Sequence, residues 1–130
     1  MTRSYELTGD HLAFWCEKHH CSVTTLRADG SPHVVPMGVV VDVDHGLGTA
    51  YAITDGGSQK AANLRRDPRI AVSQVDRGRW STIEGTAEVL TDPDAVADAV
   101  RRYAERFRVP RENPTRVALR ITLTRVIGNV

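Results

Sequence analysis

The residues in this chain best suited to chemistry lie in one run, Thr54-Asp-Gly-Gly-Ser-Gln-Lys60-Ala-Ala-Asn63. A strand pattern ends at Thr54, two glycines follow, and Ser58 stands where it can cap a new helix. Glycines let backbone approach a ligand, and the free amides of a first helical turn point outward toward an anion. Lys60 falls in that same turn, where the helix dipole disfavours a cation by about 0.3–1 kcal/mol. A bound anion would reverse that penalty, although a glycine turn carrying an exposed lysine fits the same residues. The spacing GxxxxGK[ST] is absent, so the run is not a Walker A loop.

Four other groups stand out. In Pro32-His33-Val34-Val35-Pro36-Met37, Pro36 interrupts a strand pattern and marks an edge or a bulge, and bulges often line ligand sites. Gln74 and the pair Arg79-Trp80 lie on the two arms of one hairpin, where Trp80 is either core or a face for a planar ligand. Arg101, Arg102, Arg106, Arg108 and Arg111 make either a solvated helix face or partners for an acidic substrate or cofactor tail. Cys16, His19, His20 and Cys21 in CEKHHC are all capable of binding zinc. Their spacing matches no common zinc module, so no metal and two free thiols are expected. No GxSxG or triad pattern points to a catalytic nucleophile, and the absence of GxGxxG argues against a Rossmann nicotinamide site.

The elements that must position these groups follow from periodicity. A helix is expected from Gly9 to Lys18, with Leu12, Trp15 and His19 on one stripe. Strands are expected at Cys21–Ala28, His33–Val43, Thr49–Thr54, Arg69–Asp76, Arg79–Leu90 and Val117–Ile127. Asp29-Gly30 and the stretch Asp44–Gly48 are read as turns. A short helix, Ser58–Arg66, ends before Asp67-Pro68, and a longer one, Pro93–Arg108, starts at Asp92-Pro93 with Val96, Val100, Tyr103 and Phe107 inward. Six strands, mostly antiparallel, with three helices make a mainly β fold, a small barrel rather than an open parallel sheet.

The composition agrees with one globular domain spanning residues 1–130, with 41% hydrophobic and 25% charged residues. Seventeen basic residues against 16 acidic ones leave a net charge of +1, which argues against a nucleic-acid binder. Only two of the basic residues are lysines, Lys18 and Lys60, a bias that GC-rich codon usage explains. The start of the chain lacks signal-peptide features, and no apolar run approaches the roughly 20 residues of a membrane span. A soluble cytoplasmic protein without a membrane partner is the expectation.

Three segments in this order, TTLRADGSPHVVPMG, TDGGSQKAANLRRDPRIAVSQVD and RWSTIEGTAEV, resemble the pyridoxamine 5'-phosphate oxidase-like split β-barrels, in their flavin/deazaflavin oxidoreductase branch. The likeness runs from about His11 to Gly128. Within it GGSQK, SQVD before RW and EG, and RYAERFRVPRENP are similar to the biliverdin reductases that use reduced coenzyme F420. The resemblance implies a split-barrel homodimer and hydride transfer from F420 to a conjugated small-molecule acceptor such as biliverdin. An FMN-dependent oxidoreductase, or a non-catalytic binder of flavin, F420 or haem, is the alternative. A phosphate pocket would fall on Thr54, Ser58, Gln59, Lys60 and Asn63, and ring contacts on His33, Val35, Pro36 and Met37. Gln74, Arg79 and Trp80 would border the cofactor, Arg79 and Trp80 from the partner subunit. No side chain need act as a nucleophile, because the cofactor carries the reactive chemistry.

Overall fold

The structure, a computed structural model, describes residues 6–43 and 48–130. It contains α1 (Gly9–Trp15), β1 (Cys21–Leu26), β2 (Pro32–Met37), β3 (Val40–Val41), β4 (Thr49–Asp55), α2 (Gln59–Arg66), β5 (Arg69–Asp76), β6 (Arg79–Leu90), α3 (Pro93–Arg106) and β7 (Arg116–Asn129). The turn expected at Asp44–Gly48 lies, except for Gly48, outside the described residues.

All seven strands join one antiparallel sheet in the order β2-β1-β5-β6-β7-β4-β3. Its two end strands, β2 and β3, are separated by only Gly38 and Val39 in the chain. Two residues span a few ångströms, so the sheet must coil until its ends meet, which gives the split barrel. The long strand expected from His33 to Val43 is therefore two strands, and the count is seven rather than six. β2 pairs with β1, whereas β3 pairs with β4, and no straight strand can serve both partners. Gly38, at this change of partner, makes room for the end of α3: a Cβ there would lie 2.7 Å from the Phe107 ring.

The inward faces supply the core, with Val23, Val72, Ile83, Leu119, Ile121 and Leu123 essentially inaccessible. Along β6 the alternation of Ile83, Gly85 and Ala87 with Thr82, Glu84 and Thr86 separates a buried face from a wetter one. Helix α1 buries Trp15 in this core and Phe14 beneath Arg79, and the Trp15 indole N–H donates to Ser81 Oγ at 2.8 Å. It ends at Trp15 rather than Lys18. Arg106 of α3 donates to the carbonyls of Trp15 and Glu17, closing the exposed end of that short helix. Helix α3 lies on the outside of the barrel, so Ala99 alone is fully buried on it. Two of the arginines expected on a solvated face turn inward: Arg106, as above, and Arg102, which covers the Tyr51 ring at 4.3 Å. Arg101 remains at the surface with Asp98 and Glu105.

The β6–β7 ladder carries an irregularity between Glu84 and Gly85, where the two backbones approach closely. A Cβ on Gly85 would lie 1.9 Å from the Thr122 carbonyl oxygen. Gly85→Ala is expected to cost about 3 kcal/mol by overpacking, read as a lowered urea midpoint.

Candidate functional site

The glycine run at the end of β4 folds as the residues suggest. Ser58 is the N-cap of α2: its Oγ accepts from the Ala61 N–H at 3.3 Å and from Thr54 Oγ1 at 3.2 Å. This leaves the N–H groups of Gln59 and Lys60 among the orphan donors of the helix start. Gly56 has a different reason to be glycine than ligand approach. Its N–H donates to the Thr115 carbonyl at 2.8 Å, and a Cβ there would meet that same oxygen. Asp55 strengthens the tie by accepting from Thr115 Oγ1, Asn113 Nδ2 and the Gly57 N–H. These bonds hold the Asp55 carboxyl below the usual carboxylate range, the Thr115 hydroxyl contributing most.

One turn along α2, Asn63 is fully buried. It donates to Thr25 Oγ1 of β1 at 3.0 Å and accepts from Gln59 Nε2 at 2.8 Å. Arg66 also reaches β1, at the Leu26 carbonyl. The two anchors make α2 run alongside β1, with Lys60 one turn before Asn63 on the same side. Lys60 is half-buried and has no hydrogen-bond or ion-pair partner among the described residues. Burial pulls its ammonium below the usual lysine pKa. On β1, Thr25 pairs with His33 of β2, whose Nδ1 is buried without a hydrogen-bond partner among the described residues. A half-buried cation beside the free amides of a helix start suits a phosphate or similar anion, and the orphaned His33 nitrogen lies on β2, across β1 from α2.

Beyond Thr54 a cleft of about 360 Å³ opens between the Pro36-Met37-Gly38 end of β2 and the segment that follows α3. Arg108, Arg111 and Arg116 line the second wall, with Tyr103 and His20. None of the three arginines pairs with a carboxylate among the described residues, and Arg116 instead donates to the Arg111 carbonyl. The sequence left Arg108 and Arg111, together with Arg101, Arg102 and Arg106, as either a solvated helix face or partners for an acidic ligand, and placed Tyr103 in the core stripe. The signal that could have separated them is Pro110 and Pro114, which end helical geometry and convert the run into a wall.

The structure does not bring every expected residue to this place. Gln74 is buried and donates to the Phe14 carbonyl at 2.8 Å. Arg79 forks onto Glu17 at 2.9 Å through both terminal nitrogens, reaches Asp76, and covers the Phe14 ring. Trp80, 37% exposed, points from the outer face of β6 beside Val75. Within one chain these three stand apart from the cleft.

The pyridoxamine 5'-phosphate oxidase model matches residues 7–129, and the chain belongs to that family. It is 50% identical over 123 residues to the F420H(2)-dependent biliverdin reductase of Mycobacterium tuberculosis (strain CDC 1551 / Oshkosh), a match covering 95% of this chain and 88% of that protein. Among solved structures it is similar to a conserved hypothetical protein of Mycobacterium tuberculosis, with a TM-score of 0.78 and 26% identity over 98% of this chain and 88% of the other. It also shares its fold with an F420 reductase, at a TM-score of 0.76 and 21% identity, covering 93% of this chain and 98% of that one.

The cysteines differ in environment. Cys21 is buried, and loss of solvation pushes its thiol pKa up to about 11, whereas Cys16 is exposed. Iodoacetamide at pH 8 is expected to label Cys16 and spare Cys21 until denaturant is added, as read by peptide mass spectrometry. Hydrogen bonds from Arg79 and His19 lower the Glu17 carboxyl pKa from 4.5 to about 2. A depressed folded-state value means the stabilisation is present above about pH 4.5 and lost as pH falls toward 2. Acid titration of Glu17→Gln should therefore show a shallower fall in stability across that interval than the parent protein.

Proposed function

We propose that this protein is an F420-dependent reductase that passes a hydride to a conjugated acceptor of the biliverdin type. The carrying observation is Lys60, a half-buried ammonium in the first turn of α2 with no partner among the described residues. The named activity of the 50% identical relative supplies the cofactor and the acceptor class. Coenzyme F420 carries a phosphodiester, and the residues present fit it. Lys60, the Gln59 and Lys60 N–H groups and the hydroxyls of Thr54 and Ser58 would hold that phosphate. His33, Val35, Pro36 and Met37 would lie along the ring.

When bound, the reduced cofactor supplies the hydride. The chain's own work is positional. The barrel keeps β2 and α2 in fixed register, so anion site and strand edge hold one molecule at two points. Arg108, Arg111 and Arg116 draw carboxylates into the cleft, where planar guanidinium groups bind them in paired hydrogen bonds. The Tyr103 hydroxyl and the His20 ring border the cleft and, with water, can deliver the proton that completes reduction of the acceptor.

The protein acts as a homodimer in this reading. Val75, Trp80 and Ile127 expose apolar surface near one end of β5, β6 and β7. A second copy covering that face would bring Trp80 toward its partner's cleft.

Equilibrium binding of F420, followed by fluorescence, tests the proposal. Lys60→Ala is expected to weaken binding about 10- to 100-fold through loss of a charge-assisted hydrogen bond, and unchanged affinity would remove the anion assignment. Biliverdin added to reduced F420 and the protein should restore the oxidised cofactor's absorbance. Tight FMN binding with no F420 binding would sink the cofactor assignment, and F420 binding without turnover would leave a carrier rather than a reductase.

A further inference from the structure

The edge of β2 has a donor pattern that bears on which ring it accepts. The Arg27 N–H donates to the Ser31 carbonyl at 2.9 Å, so Arg27 and Ser31 form a hydrogen-bonded pair at the hairpin end. Hydrogen-bonded and non-hydrogen-bonded pairs alternate along an antiparallel ladder. Thr25↔His33, Val23↔Val35 and Cys21↔Met37 therefore exchange hydrogen bonds, while Leu26↔Pro32, Thr24↔Val34 and Ser22↔Pro36 do not. The backbone polar groups of Pro32, Val34 and Pro36 consequently face away from β1. β2 is an end strand of the sheet, so they face its free edge. The Arg27 guanidinium confirms this direction by donating to the Pro32 carbonyl at 2.6 Å.

Three carbonyls thus look outward along this edge, but only one N–H does, that of Val34, because proline has none. Pro32's carbonyl is already engaged by Arg27. Pro36 is the outward position that lines the cleft, and it offers an acceptor with no donor.

We infer that Pro36 selects a 5-deazaflavin over a flavin. This rests on the cofactor reading above. Oxidised flavin and its 5-deaza analogue differ at one ring atom, a nitrogen that accepts a hydrogen bond against a C–H that needs none. An acceptor pressed against an edge without a donor stays unsatisfied, and burying it is disfavoured. A C–H meets the Pro36 carbonyl without loss. The proline discriminates through the hydrogen bond it withholds, which costs the deazaflavin nothing and the flavin its partner.

FMN and 5-deaza-FMN provide the test, because they share one phosphate tail and isolate the ring atom. Both rings are kept oxidised, since reduction turns the flavin nitrogen into a donor that the Pro36 carbonyl can accept. The parent protein should bind 5-deaza-FMN about tenfold more tightly than FMN. Pro36→Ala and Pro36→Val each restore an N–H, and both should reduce that ratio to within about twofold by strengthening FMN binding. Agreement between two replacements of different size separates the N–H from a change in shape. Pro32→Ala, on the same edge but with its carbonyl engaged by Arg27, should leave the ratio as in the parent. Circular dichroism and thermal melting establish that each variant is folded.

A parent ratio near one, or a ratio unchanged in both Pro36 variants, overturns the inference. So does equal strengthening of both ligands. F420 binding by the same parent protein is read separately. Its absence would defeat the cofactor proposal, whereas F420 binding with an insensitive ratio defeats only the role of Pro36.

Discussion

Closure of the sheet governs everything else in this molecule. Gly38 and Val39 join strands at opposite ends of a seven-stranded sheet, and the sheet has no freedom to stay open. The same two residues place the end of β2 against the Phe107 ring and open the cleft on the side of Thr54. A barrel that closed with a longer link would leave β2 free to slide along β1. Here the register from Cys21↔Met37 to Leu26↔Pro32 fixes which backbone groups reach the edge.

The site is assembled from elements distant in sequence but neighbours in the sheet. β4 delivers Thr54 and the cap of α2, β1 carries Thr25 under Asn63, and β2 brings His33 alongside. Asn63 is the joint: its amide donates to one strand while its oxygen receives Gln59 and Arg66 of its own helix. A helix pinned so firmly can keep Lys60 half-buried, a state that a mobile surface helix would relax by turning the ammonium to water.

Much of this was legible in the chain itself. Ser58 as a cap, the stop at Asp67-Pro68, and the two-faced alternation of β6 are local signals and survive folding unchanged. The break between Met37 and Val40 was hidden because the run Val34–Val41 is apolar on both sides of Gly38, and what divides it is a change of pairing partner. The roles of Arg102 and Arg106 were hidden for a similar reason. An arginine on an exposed helix reads as solvated until Tyr51 or the end of α1 appears beneath it. Gly56 and Gly57 were read together as ligand glycines, yet Gly56 answers to Thr115, some sixty residues away. Long-range approach leaves no periodic trace in a sequence.

Strand β7 follows every other element in the chain and yet lies between β6 and β4 in the sheet. On a ribosome, this means that two strands wait with bare hydrogen-bonding edges until residues near Asn129 leave the exit tunnel. The strands β2-β1-β5-β6 can pair as they appear, but β4 and β3 join them only through β7. Through that interval the free edges of β4 and β6 stay open to mispairing, a hazard set by strand order rather than by chain length.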